Sequence, residues 1–132
     1  MRYLRKFNES FNKTPGMRLH YGEDVISECD LIIDDIKDML LELNDIGLMT
    51  VVGYTPMTLT YRDTTPKIMV EISSYVGTWG GGKFLKGDKD YTSEVMETTE
   101  RIKEYVKSKG YPFGDGKWES NGRQIYQMVI QK

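Results

Sequence analysis

Cysteine and histidine are almost missing from this chain, and each scarcity closes a route to function. Cys29 is the single cysteine, so no internal disulfide or thiol pair can form. It lies on an apolar helical stripe and reads as a small hydrophobe, not a nucleophile. His20 is the single histidine and has no second histidine or cysteine at ligand spacing, which removes the donor set of a structural zinc site. No metal and no cofactor are expected. No apolar run approaches the roughly 20 residues that a membrane-spanning helix needs. No charged, apolar and small-residue series marks a secretory leader. The chain is expected in the cytosol, without a membrane partner. Neither sign of charge dominates: a formal charge of −2 gives no global attraction to nucleic acid or acidic lipid, so such a partner would need a local patch.

What is present is enough for one core. A chain of 132 residues, 39% hydrophobic and 29% charged, can bury a single domain's interior and is too short for two comfortable ones. No internal repeat, low-complexity tract or interdomain linker is visible. The strongest pattern spans residues 23–47, where Val25, Cys29, Ile32, Ile36, Leu40 and Leu43 recur at helical spacing and Ile26, Ile33, Met39 and Ile46 widen the stripe. At a hundred degrees per residue these side chains fall within about 160° of arc. Asp30, Asp34, Asp38 and Asp45 lie opposite, so one long helix should bury one face and turn an acidic face outward. Gly47 supplies a residue that tolerates the left-handed conformation closing a helix.

After Gly47 the apolar period changes from 3.6 to 2. Residues 48–54, 57–62 and 67–76 read as strands, and the short links between them require an antiparallel meander. In the third, Ile68, Val70, Ile72 and Val76 share the face turned to the helices. Thr58, Thr60, Arg62, Glu71, Ser73 and Tyr75 should display on the other. A glycine- and lysine-rich loop follows over residues 77–90. Thr92 or Ser93 then caps a second helix running to Lys109, with Val95, Thr99, Ile102 and Val106 as its inward stripe. Asn121-Gly122, ahead of the run from Arg123 to Ile130, is the strongest hairpin signal in the chain, because both residues tolerate positive φ. A short basic amphipathic helix, residues 1–13, carries Tyr3, Leu4, Phe7 and Phe11 among Arg2, Arg5 and Lys6. The predicted architecture is one α+β domain over residues 14–132. Its antiparallel sheet combines a three-strand meander with a C-terminal hairpin, under two main helices on one face, in the order α-α-β-β-β-α-β-β.

Two nucleotide-like motifs do not hold together. The run Gly77-Thr78-Trp79-Gly80-Gly81-Gly82-Lys83 has phosphate-loop spacing up to its lysine. Phe84, however, stands where a hydroxyl should ligate magnesium, and Gly87-Asp88 disfavours the helix whose N-terminus would hold phosphate. Leu31 to Asp35 imitates an acidic strand end, yet it lies inside the helical stripe. A divergent phosphate-loop enzyme is therefore the weakest class, and no base and nucleophile pair names another reaction. Two binding readings remain. The ladder Asp30, Asp34, Asp38 and Glu42 stacks like charges on the helix surface and suits a basic protein partner. Alternatively, Lys83, Lys86 and Lys89, with Trp79, Phe84 and Tyr91 among them, offer counterion release and stacking surfaces to nucleic acid. The order helix, three strands, helix is similar in topology to the double-stranded-RNA-binding domain. The long acidic first helix and the two extra strands depart from it.

The opening decapeptide, Met1-Arg2-Tyr3-Leu4-Arg5-Lys6-Phe7-Asn8-Glu9-Ser10, resembles the start of many small proteins from large tailed bacteriophages, in which a basic beginning leads to an aromatic residue, one spacer and a glutamate. In some of that group a similar segment targets internal proteins to the capsid and is cleaved after the glutamate. The resemblance implies processing between Glu9 and Ser10, with Phe7 where leucine or isoleucine is usual. The run from Asp35 to Gly47 is likewise similar to helices in small phage proteins. Together these features imply a non-catalytic phage accessory or host-interaction protein that binds a host or virion protein, in the host cytoplasm or the virion interior.

Overall fold

A computed structural model describes residues 21–55, 66–75, 83–86, 89–120 and 122–131. Helix α1 spans Glu23–Asp45 and helix α2 Thr92–Ser108; the strands are β1 (Met49–Tyr54), β2 (Ile68–Tyr75), β3 (Leu85–Lys86), β4 (Lys89–Asp90), β5 (Phe113–Ser120) and β6 (Arg123–Ile130). Four strands form one sheet in the order β1-β2-β6-β5, and β3 with β4 makes a separate short ladder. Every pairing is antiparallel. The α+β class and the antiparallel sheet are as the sequence implies. The proposed basic helix over residues 1–13, the strand over 57–62 and Glu9-Ser10 lie outside the described residues.

The long helix forms because its apolar side chains have one place to go. Ile32, Ile36, Leu40 and Leu43 are each at most 1% exposed, and burying a side chain of this size is worth about 1.5–3 kcal/mol. Val25, Met39 and Ile46 pack on the margin of the same core. Glu23 and Asp24 occupy the first turn, where the helix dipole favours negative charge. The end is set by Gly47, at φ 93°: its N–H donates to Asn44 O at 2.9 Å and that of Leu48 to Leu43 O at 3.0 Å. These two bonds satisfy carbonyls that the last turn leaves open.

Helix α2 stops in the same way. Gly110 sits at φ 80°, its N–H reaches Lys107 O at 3.0 Å, and the N–H of Tyr111 reaches Val106 O at 2.9 Å. The residues after the two glycines, Leu48 and Tyr111, both turn into the core at 3% exposure. Each helix thus delivers its chain to an edge strand, β1 or β5, which turns back as a central strand, β2 or β6. No sequence repeat announces it, yet the path helix, edge strand, central strand is taken twice.

Three local expectations change. Both sides of β2 are occupied, by β1 and by β6, so the first and third predicted strands are direct neighbours and no second strand separates them. Thr92 is the first helical residue of α2 and does not cap it; its N–H is held at 2.9 Å by Asp90 Oδ1, two residues earlier. Within the glycine- and lysine-rich loop, Leu85 pairs with Asp90 and Lys86 with Lys89. The C-terminal hairpin matches its signal: β5 and β6 are joined across Asn121-Gly122, with Gly122 at φ 75°.

Candidate binding surface

The two faces of the sheet follow from register. Val52, Val70 and Met128 lie in one row, and Tyr54, Ile68, Ile130 and Phe113 in another. These rows point at the helices and merge with them into one core. The intervening rows point the other way, where no element among the described residues packs. One joins Met49, Ser73, Ile125 and Trp118; the next joins Val51, Glu71, Gln127 and Gly116; the third joins Gly53, Met69, Val129 and Gly114. Half of these twelve positions carry apolar side chains. Val51 is 53% exposed, Met49 58% and Trp118 41%, while Met69, Ile125 and Val129 are half-buried beside them.

Arg123, Ser73 and Gln127 on the open face are tied down. Arg123 donates from Nη2 to Ser73 Oγ at 2.6 Å and lies 3.5 Å from Met49 Sδ. Gln127 Nε2 sits 2.9 Å from Met69 Sδ. Ser73, expected on display, is instead covered, at 2% exposure, because the Arg123 guanidinium extends across it. Glu71 remains half-buried in the middle row. Thr58, Thr60 and Arg62 lie outside the described residues, and Tyr75 is described by its backbone alone. On β5, Gly114 and Gly116 leave a shallow notch: a Cβ built on either meets nothing within 4 Å. A hollow lined by Phe113, Gly114, Val129 and Gln131 continues it.

The acidic ladder of α1 is only half a ladder. Asp30 is buried at 8% exposure and accepts a hydrogen bond from Tyr54 Oη at 2.7 Å. The edge strand has captured it, so it does not belong to the outer face. Glu42 accepts from Thr98 Oγ1 at 2.7 Å and pairs with Arg101, which ties α1 to α2. Asp34 and Asp38 stay exposed. Two residues missed from the sequence join them: Leu31, 64% exposed, and Leu41, 55% exposed. Spaced ten residues apart, they stand about 15 Å apart along the helix. The signal was legible, since both fall outside the arc of the buried stripe.

The basic loop comes apart as a stacking platform. Phe84 is fully buried in the core; its N–H is bound by Thr92 Oγ1 at 3.1 Å and its carbonyl by Tyr91 N–H at 2.7 Å. An apolar ring of this size beside a core opening is more stable inside than in water. Tyr91 is half-buried against the same cluster. Lys83 and Lys89 are exposed, the side chain of Lys86 and all of Trp79 lie outside what is described, and no aromatic ring is left between the lysines among the described residues. Asp90 is held below the usual carboxylate range, chiefly by its hydrogen bond from the Thr92 hydroxyl.

Residues 77–82 of the phosphate-loop motif lie outside the described residues. Lys83 is followed by strand β3, and Leu31 to Asp35 are helical turns of α1. Among the described residues no group of three or more His, Cys, Asp and Glu side chains could hold a metal ion, and no helix is long and apolar enough to cross a membrane. Cys29 is buried at 1% exposure, with its sulfur 3.9 Å from Tyr111 Oη.

The remaining charged cluster is a clamp on the covered face. Lys103 Nζ lies 2.8 Å from Asp115 Oδ2 and 3.4 Å from Glu100 Oε1, and Tyr126 Oη donates to Asp115 Oδ2 at 3.0 Å. The hydrogen bond from Lys103 is the main influence holding the Asp115 carboxyl below its ordinary range, and Asp115 in turn raises Lys103. Burial, followed by the Asp115 contact, pushes the Tyr126 phenol up. Such a group joins α2 to β5 and β6. Compared with protein-family models, curated proteins and solved structures, the chain matches none of them.

Proposed function

We propose that this is a non-catalytic protein-binding domain whose principal contact surface is the open face of the four-stranded sheet. The carrying observation is the exposure of Met49, Val51 and Trp118 on one continuous face with half-buried Met69, Ile125 and Val129. Exposed apolar side chains gathered on one face are unfavourable in water and mark interaction sites, and tryptophan and methionine are enriched in interface cores. The opening decapeptide supports a phage accessory role, with a host or virion protein as partner. A second surface, Leu31, Asp34, Asp38 and Leu41 on α1, favours a basic amphipathic partner: two apolar anchors flank two carboxylates on one ridge.

The test is retention of bound protein by full-length chain from producing cells, compared with Val51→Asp and with Leu31→Ser/Leu41→Ser. Proteins held by the wild type and lost from Val51→Asp, with the fold intact by circular dichroism, support the sheet face. Loss from the leucine pair alone transfers the contact to α1. Salt-sensitive heparin binding abolished at Lys83 and Lys89 would favour the nucleic-acid class, and magnesium-dependent nucleotide turnover lost in Lys83→Ala would favour the enzyme.

A further inference from the structure

We propose that the occupant of the open sheet face is a second copy of this chain, packed sheet on sheet about a twofold axis that runs parallel to the strands. The proposal rests on the open face being an interface at all, and goes on to specify the partner and its register.

Size comes first. Four strands about 4.8 Å apart, with eight-residue central strands rising about 3.4 Å per residue, make a face of roughly 500 Å² in projection. With side chains standing on it, that approaches the ~800 Å² per partner of a stable interface. Two such sheets pack about 10 Å apart with strands nearly aligned.

Only two twofold axes lie in the plane between two facing sheets and respect the strand direction, and the residues choose between them. An axis perpendicular to the strands sets each strand over its own copy and inverts the rows. With that axis through the middle row, Glu71 faces Glu71 of the second copy and Val51 faces Val51, which stacks like charges over the centre. An axis parallel to the strands places β1 over the second copy's β5 and β2 over its β6 and keeps each row in register. Met49 then meets Trp118, Glu71 meets Gln127, and Met69 meets Val129. The exposed Val51 side chain enters the notch at Gly116, where a built Cβ meets nothing within 4 Å. Bulk falls on space and an acceptor falls on an amide donor. The like-charge contact disappears.

Sedimentation of the full-length chain across a concentration series checks the state, and site-directed cross-linking checks the register. The wild type should sediment at twice the chain mass of 15.3 kDa and Val51→Asp at the monomer mass with an unchanged circular dichroism spectrum. A short bismaleimide should couple the double variant Met49→Cys/Trp118→Cys into dimers and leave Val51→Cys uncoupled, with the wild type as the control because its one cysteine is buried. Efficient self-coupling of Val51→Cys would overturn the strand-parallel axis. A wild type that stays monomeric at 100-fold higher concentration overturns the second-copy proposal outright. If that monomer still loses a different bound protein on Val51→Asp, the face remains an interface with another occupant. If it loses nothing, both the proposal and the assignment of the face fall together.

Discussion

The two faces of one sheet have met opposite fates, although they are built from the same strands and alternate residue by residue. On the covered face Ile68, Val70, Ile72, Met128 and Ile130 are fully buried, and Asp115 is clamped there by Lys103 and Tyr126. On the open face half of the twelve positions carry apolar side chains, yet Met49 and Val51 are more than half exposed. Composition alone therefore does not distinguish the core from the exposed face. The helices do, because α1 and α2 cover one side only.

The sharpest contrast comes from placing the same charge on each face. Ile72→Asp puts an unpaired carboxylate into the core and should cost more than about 4 kcal/mol, enough to unfold the domain. Val51→Asp, on the other side, should change unfolding free energy by about 0.5 kcal/mol or less in the monomer; denaturant titration of both variants measures the difference. Truncation gives a smaller version of the same comparison. Met128→Ala removes a fully buried side chain and should lower stability by about 2–5 kcal/mol. Met69→Ala, half-buried on the open face, should cost about 1 kcal/mol or less. Equal losses would mean that the open face is as tightly packed as the core.

Neighbouring serines on opposite faces refine the contrast. Ser73 accepts a hydrogen bond from Arg123, so Ser73→Ala should cost about 0.5–1.5 kcal/mol. Ser74 Oγ is buried with no hydrogen-bond partner among the described residues; Ser74→Ala removes an unsatisfied group and should be neutral or stabilising by a few tenths of a kcal/mol. The smallest effect is a pH dependence confined to the covered face. Asp115 is depressed by Lys103, so its contribution is present above its unfolded pKa of about 3.9 and is lost as pH falls through the lower folded value. Lys103→Met should flatten the stability profile in that acid window and leave its slope near neutrality unchanged. An unaltered acid slope would show that other carboxylates set it.

Much of the fold was legible because its signals are local. The α1 stripe, the glycine stops at Gly47 and Gly110, the inward residues of α2 and the Asn121-Gly122 turn all depend on side chains within a few residues of one another. The candidate site was legible only in part. Asp30 and Glu42 look like members of one acidic face, but Tyr54 from β1 claims the first, and Thr98 and Arg101 from α2 claim the second. Phe84 looks like a loop aromatic until the core opening beside α2 is known. Leu31 and Leu41 could have been found from the helical wheel, as apolar residues lying off its buried arc.

The sequence by itself determined where α1, α2 and the strands β1, β2 and β6 lie, and that the sheet must be antiparallel, since periodicity, glycine conformation and short links act at close range. Only tertiary structure decided that β2 and β6 meet at the centre and that, among the described residues, no element packs on one face of the sheet. Strand order and coverage depend on which distant surfaces find each other, and side-chain alternation is the same whichever neighbour is chosen.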